Sequence, residues 1–455
     1  MKDLEKKLYK KRFSPFFIIA LGYITVIFLG AFLISLPISN ADGQWLNFLD
    51  AVFLSTSAVC TTGLTTVNIT LTLSLSGQIV ILILIQIGGL GIMGLASMIF
   101  LTIRKKLTLS NKLMIQQTLG EMPSHKIPSY LNYILIATLT IEGIGAIALM
   151  PAFIKAFGWI GIFKAIFISV SAFCNAGFDI LSYQDPSLIG FSNNVSVILS
   201  VGFLIILGGI GFWVLMDIAK ARKINRLSLH TKVVLITTVL LIVLGAIGYL
   251  IAEWNNPLTL GKMNIGQKIL NAFFLAVTPR TAGFNNINFS EATVFSKLLT
   301  MILMFIGASP ASTGGGIKTS TVAILLFIII SGFKGKDRVI LDKRYINTRI
   351  TLKAAAVAGA FVILTILLTM ALLITENGSN NLYSLETILF ETLSALSTVG
   401  LSLGLTPYLS IGGKIIIMLA MFIGRLGPLT IGLLFLKNIK TEEKLRYPEA
   451  MVMIG

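Results

Sequence analysis

Four short motifs carry the chemistry in this chain: Cys60-Thr61-Thr62-Gly63-Leu64, Cys174-Asn175-Ala176-Gly177-Phe178, Arg280-Thr281-Ala282-Gly283-Phe284 and Ser397-Thr398-Val399-Gly400-Leu401. Their glycines recur at intervals of 114, 106 and 117 residues. Glycine reaches backbone angles that turn successive carbonyls the same way, without a Cβ clash. A ring of such carbonyls can replace the hydration shell of a bare cation. A short apolar run precedes each motif: Asn47–Ser57, Phe163–Phe173, Lys268–Val277 and Leu385–Leu396. Ten to twelve residues are too few to cross a bilayer and fit a re-entrant helix. The negative end of each such helix would face the loop and favour a cation there.

A second group of residues has the chemistry of an obstruction. Gly307, Ala308, Ser309, Pro310, Ala311, Ser312, Thr313, Gly314, Gly315 and Gly316 interrupt an apolar run. So many glycines, small polar residues and a proline do not hold a helix. Gly314-Gly315-Gly316-Ile317-Lys318-Thr319 lacks the spacing of a phosphate-binding loop, and no strand precedes it. Arg425 sits about halfway along its apolar run, where a charge is costly and by default functional or paired. The gate expectation joins Gly307, Ser309, Pro310, Ser312, Thr313, Gly314, Gly315, Gly316, Lys318 and Arg425. The alternative for Arg425 is an ion pair with Glu142. Arg280 is expected to point away from the axis, towards Glu391 or Asp50.

These motifs need elements that hold four loops at one depth. Apolar residues make up 55% of the 455, charged residues only 12%, and the mean hydropathy is +0.90. Eight long apolar runs, near 16–36, 77–103, 127–150, 194–217, 232–252, 293–332 (interrupted), 352–374 and 411–436, read as membrane spans. The order of span, short run, glycine loop and span repeats four times. Each second span carries its own glycines: Gly88-Gly89, Gly208-Gly209, Gly307 and Gly424, lying 25, 31, 24 and 24 residues beyond the loop glycine. Small residues of this kind let helices pack closely in membranes. Loops at membrane depth are tolerated only when buried in protein or lining water. The expected fold is therefore all-α and integral to the membrane, with eight spanning and four re-entrant pore helices in pseudo-fourfold order around one pore.

The net charge of +17 gathers in Lys2 to Arg12, Arg104 to Lys126, Lys220 to Lys232, Lys334 to Lys353 and Lys437 to Arg446. Those segments share one side if each pair of spans crosses and returns. The positive-inside rule then puts both termini in the cytoplasm of a multi-pass protein of the cell membrane. Topology and anionic headgroups of the lipid bilayer account for the charge, so no nucleic-acid partner is expected. Cys60 and Cys174 occupy equivalent places and read as small buried thiols. His125 and His230 are the only histidines. They lack metal-ligand spacing, and no nucleophilic or paired-carboxylate constellation lies in a span, so no enzyme is expected. Transporters working by alternating access usually carry inverted repeats; here all four units share one orientation.

From about Phe16 to Lys437 the chain resembles the membrane subunit of the Trk/Ktr/HKT family of potassium transporters, of the bacterial KtrB type. The resemblance divides the chain into a cytoplasmic segment 1–15, four M1-P-M2 repeats at 16–104, 127–220, 231–333 and 350–437, and a tail at 438–455. The third repeat has a broken M2 helix with a gate loop at 305–320. It implies a potassium filter of Thr61, Thr62, Gly63, Asn175, Ala176, Gly177, Thr281, Ala282, Gly283, Thr398, Val399 and Gly400. It also implies a homodimer and a cytosolic nucleotide-binding regulatory ring of the KtrA type. No cofactor is implied; potassium, or sodium in a relative with serine at the first glycine position, is the transported ion.

Overall fold

The computed structural model describes residues 15–91, 127–181, 187–221, 223–336, 338–341, 344–376 and 383–427. The protein is mostly helical. Fourteen helices of the described residues build the frame: α1 (Pro15–Ser35), α2 (Phe48–Val59), α3 (Leu75–Leu90), α4 (Ile127–Phe157), α5 (Ile160–Phe173), α6 (Val195–Gly209), α7 (Phe212–Lys220), α8 (Leu229–Glu253), α9 (Ile265–Val277), α10 (Val294–Phe305), α11 (Thr319–Phe333), α12 (Thr348–Glu376), α13 (Leu385–Leu396) and α14 (Ile411–Leu426). A two-stranded antiparallel hairpin pairs Ile340–Leu341 with Arg344–Tyr345.

Helix starts follow from polar residues placed before apolar runs. Asn47, Ser74, Asn194, Ser228, Asn264, Thr293, Ser384 and Ser410 each accept a backbone N–H of the first turn with the side chain. This satisfies a donor that the helix itself leaves unpaired. The outward sides of α1, α4, α8 and α12 are apolar, with Leu29, Ile147, Ile251 and Ile374 among their most exposed residues. Such an exterior suits a hydrocarbon surround.

Four helices, α1, α4, α8 and α12, are each long and apolar enough to cross a membrane unaided. The expected second spans behave differently. The run 194–217 is not one helix: α6 and α7 meet at 95°, at Gly211 with φ 95°. The run 293–332 is cut between α10 and α11. Helices α3 and α14 end at Gly91 and Gly427, both at positive φ. The rest of runs 77–103 and 411–436, the termini and the basic segments around 104–126 and 437–446 lie outside the described residues. Glycine reaches positive φ without a Cβ clash, whereas the helix needs negative φ, so each helix stops there.

Packing is cyclic. Each short helix packs against the long helix before it and, in three of the four groups, the helix after it. Beyond this, α3 touches α5, α6 touches α9, α10 touches α13, and α14 returns to α2. The closure is reinforced by an ion pair from Lys414 Nζ at the start of α14 to Asp50 Oδ1 on α2, at 2.7 Å. Phe53, Phe167, Phe274 and Phe390 occupy matching places on α2, α5, α9 and α13, and all four are fully buried. Aromatic side chains at these places fill the space between short and long helices. Small residues complete the fit: a Cβ at Gly88, Gly208 or Gly424 would collide with the last helical carbonyl of the short helix before it, at Val59, Phe173 or Leu396. Gly307 departs from this pattern and packs against Gly315.

Candidate functional site

Each short helix stops at a residue in the left-handed region two places before the loop glycine: Thr61 (φ 52°), Asn175 (53°), Thr281 (71°) and Thr398 (52°). Such angles are unusual for residues with a side chain. They are held by hydrogen bonds from beneath. Thr62 N–H donates to Ser57 O, Ala176 N–H to Ser171 O and Val399 N–H to Ser394 O, each at 2.8 Å, and Ala282 N–H donates to Thr278 O at 3.0 Å. The same four side chains brace the far side of the loop. Ser57 and Ser394 Oγ accept the N–H of Gly63 and Gly400 at 3.0 and 3.1 Å. Ser171 Oγ and Thr278 Oγ1 donate to Phe178 O and Phe284 O at 2.8 and 2.6 Å. The sequence reading missed these hydroxyls. Their signal is a Ser or Thr six residues before each glycine, five in the third loop.

The loop glycines themselves, at φ 99°, 69°, 78° and 93°, form a closed ring. A Cβ at Gly63 would stand 2.6 Å from Ala176 O, and one at Gly177 would stand 2.8 Å from Ala282 O. One at Gly283 would meet Val399 O, and one at Gly400 would meet Thr62 O, both closer still. Each loop thus offers its glycine to the carbonyl of the next, and the fourth returns to the first. One face of the ring opens into a cavity of about 260 Å³ touched by all four glycines, with Asp179, Asn285, Ser402 and Thr406 in its wall. Thr61, Thr62, Asn175, Ala176, Thr281, Ala282, Thr398 and Val399, which precede the glycines, are fully buried.

On the other face lies the segment between α10 and α11. Thr313 N–H donates to Gly208 O (3.3 Å) and Ser309 N–H to Gly209 O (2.9 Å). Thr61 Oγ1 donates to Thr313 O at 3.3 Å, and Thr313 Oγ1 donates to Phe173 O at 3.1 Å. Gly314 and Gly315 approach so closely that a Cβ on either would strike the hydroxyl of Thr281 or Thr398. The segment holds its own shape through Ser312 Oγ to Ser309 O (2.6 Å), Ser309 Oγ with Thr319 Oγ1 (2.9 Å) and a bridge pairing Ile306 with Ile317. Pro310 O lies against Gly211, and Ala311 O accepts Phe212 N–H at 2.9 Å. Gly307 backs onto Gly316.

Two cations fasten this segment. Lys318 Nζ donates to Gly314 O at 2.7 Å. Arg425 Nη1 donates to Thr313 O and Nη2 to Gly88 O, so the guanidinium joins the segment to α3. The ion-pair alternative for Arg425 therefore gives way to backbone acceptors. Glu142 is occupied by Gln86 and the Cys174 thiol.

The expected partners of Arg280 are also corrected. Its Nη2 donates to Thr238 Oγ1 on α8 at 3.4 Å. Glu391 instead accepts Ser402 Oγ at 2.9 Å and Thr406 Oγ1, and Asp50 is held by Lys414. Both carboxylates thus have other partners in the structure. Both cysteines are free and buried, and His230 lies in the first turn of α8, far in sequence from any cysteine. No cluster of three or more metal-ligating His, Cys, Asp or Glu exists among the described residues.

Long apolar helices packed in a cycle, with four glycine loops in mutual contact, suit a protein embedded in a membrane. The chain belongs to the TrkH family of cation transport proteins, whose profile matches residues 8–447. It is 40% identical to the potassium/sodium uptake protein NtpJ of Enterococcus hirae, covering 99% of both chains. It is 39% identical to the Ktr system potassium uptake protein B of Bacillus subtilis, over 98% of this chain and 97% of that one. Among solved structures, the potassium transporter TrkH of Vibrio parahaemolyticus superposes with a TM-score of 0.73 at 19% identity, covering 94% of this chain and 86% of the other. The protein is thus a multi-pass membrane protein of a transporter family, and not an enzyme.

Proposed function

We propose that this protein takes up potassium across the cell membrane through the ring at Gly63, Gly177, Gly283 and Gly400, as four M1-P-M2 repeats around one pore. The observation that carries the reading is the closed cycle in which each glycine faces the carbonyl oxygen of the next loop, opening on a shared cavity. Peptide oxygens crowded on one axis compensate a cation for lost water. The C-terminal ends of four short helices add partial negative charge at the same place. The filter residues are those of the four loops. The segment 305–320, with Lys318 and Arg425, is the gate: it lies across the inner face of the ring and carries a fixed positive charge beside it.

The remaining parts of the reading follow from the family and from charge placement. Both termini face the cytoplasm, where the basic segments gather. The functional unit is a homodimer controlled by a cytosolic nucleotide-binding ring of the KtrA type. Uptake proteins named for potassium among the relatives support potassium as the ion. A second reading, a sodium-permeable transporter, is favoured by one observation, the name of the relative from Enterococcus hirae.

Growth at low potassium of a strain lacking other uptake systems, with and without a regulatory subunit, tests the function. Ion selectivity is tested by Gly63→Ser. Position 63 is at φ 99° with no room for a Cβ, so the variant must open the ring. It should admit sodium several-fold more readily relative to potassium. Equal sodium-to-potassium uptake ratios in variant and parent would remove the argument for selectivity at this ring.

A further inference from the structure

Glu142 is a buried acid that the pathway does not use. It lies near the middle of α4, 6% exposed, and it is held by neutral groups. Gln86 Nε2 on α3 donates to its Oε2 at 3.3 Å. The thiol of Cys174 donates to its Oε1 at 3.7 Å and stands 3.9 Å from Gln86 Oε1. Ser169 Oγ on α5 donates to its backbone carbonyl at 2.6 Å. The carboxyl thus joins three elements, α3, α4 and the end of α5, behind the second glycine loop.

The thiol it holds is next to the most divergent residue of the ring. Asn175 follows Cys174, carries the left-handed backbone angle of that loop, and stands where the other three loops have threonine. Its amide lies 3.5 Å from Thr281 Oγ1 of the next loop. With the amide turned as its neighbours require, its nitrogen donates to Ala172 O at 3.0 Å and Ile205 O at 3.3 Å. The thiol has little freedom, because it fills the space that a side chain at Gly89 would need. A Cys174 displaced from Glu142 must therefore carry Asn175 with it. The third loop is tied back in the same sense: Arg280, the residue equivalent to Cys174, reaches Thr238 on its own long helix. Ser397 Oγ, at the equivalent place in the fourth loop, is buried with no hydrogen-bond partner.

We propose that Glu142 is a positioning residue for ion selection: acting through Cys174, it sets the backbone of Asn175 and Ala176 and so the distance of the second loop's carbonyls from the pore axis. The inference rests on the filter reading above. Its stake is the choice between ions, because carbonyls free to move inwards tolerate the smaller sodium ion.

The test measures rubidium and sodium uptake into vesicles reconstituted with the full chain and reads their ratio, which a smaller number of folded copies does not alter. Glu142→Leu removes the acceptor and should raise sodium over rubidium at least several-fold. Glu142→Gln keeps an acceptor oxygen and should return the ratio to that of the parent. Cys174→Ala should reproduce the Leu phenotype, and combining it with Glu142→Leu should add nothing further. Cys174→Ala also serves if Glu142→Leu fails to assemble. A parental ratio in both Glu142→Leu and Cys174→Ala, or additive effects in the double variant, overturns the proposal. A parent chain that does not discriminate the two ions at all places the failure in the filter reading instead, since the ring and not Glu142 would then be at fault.

Discussion

At the scale of single residues, the site depends on what is missing from four glycines and what is present in one arginine. Gly400→Ala places a Cβ against Thr62 O and forces an L residue to φ 93°. The backbone angle alone costs about 1–2 kcal/mol, and the collision adds to it. Potassium uptake by this variant should fall at least tenfold while the amount of protein in the membrane stays near that of the parent, as measured by immunoblot beside rubidium flux. Arg425→Gln removes charge-assisted hydrogen bonds to Thr313 O and Gly88 O, each worth about 1.5–3 kcal/mol. The expected outcome is a leak: uptake without any regulatory subunit should rise about tenfold or more, the equivalent of about 1.4 kcal/mol. Asp179 lines the cavity that all four loop glycines touch. Burial raises its carboxyl to about 6, opposed by the Leu181 N–H and by the charge of Lys164. As pH falls through that value the carboxylate is neutralised and its attraction for an entering cation is lost. The half-saturating potassium concentration should therefore rise between pH 7 and pH 5, and Asp179→Asn should flatten that dependence.

At the scale of elements, two glycines let the segment between α10 and α11 lie against the ring. Gly314 and Gly315 leave room for the hydroxyls of Thr281 and Thr398. Alanine at either site pushes the segment off the ring, so Gly315→Ala should raise unregulated uptake in the way Arg425→Gln does. Combined with Arg425→Gln it should add less than its separate effect, because contacts made by one segment are coupled. Proline and glycine content marked this segment as unable to stay helical. The same reasoning did not reveal the 95° bend between α6 and α7. Gly211 permits the bend locally, and the neighbouring segment meets it: Pro310 O lies against Gly211, and Ala311 O accepts Phe212 N–H. The break in one group thus packs against the break in the next.

At the scale of the whole molecule, a ring must close between its last and first members, which no local signal governs. Helix α14 meets α2 across nearly the full length of the chain, and Lys414 with Asp50 marks the contact. Both side chains are largely shielded, so removing one leaves the other charge poorly compensated, at a cost of about 3–5 kcal/mol for a fully buried pair and less here. Lys414→Met should lower the thermal midpoint of the detergent-solubilised protein by several degrees. The exchange Asp50→Lys with Lys414→Asp should recover most of that loss. A midpoint unchanged in Lys414→Met would mean that apolar packing of α14 on α2 closes the ring alone.

Composition and hydropathy were enough to identify a multi-pass membrane protein, because every span must separately satisfy the same bilayer. The spacing of Gly63, Gly177, Gly283 and Gly400 is visible in the chain, and the structure sets each of them against a carbonyl of another loop. Partnerships across units are not visible in the chain. Arg425 finding Thr313 and Gly88, Arg280 finding Thr238, and Glu142 finding Gln86 and Cys174 are choices among several acceptors of similar chemistry. The winner is the nearest unsatisfied group once the helices have packed, and nearness between residues hundreds of positions apart exists only in the folded chain.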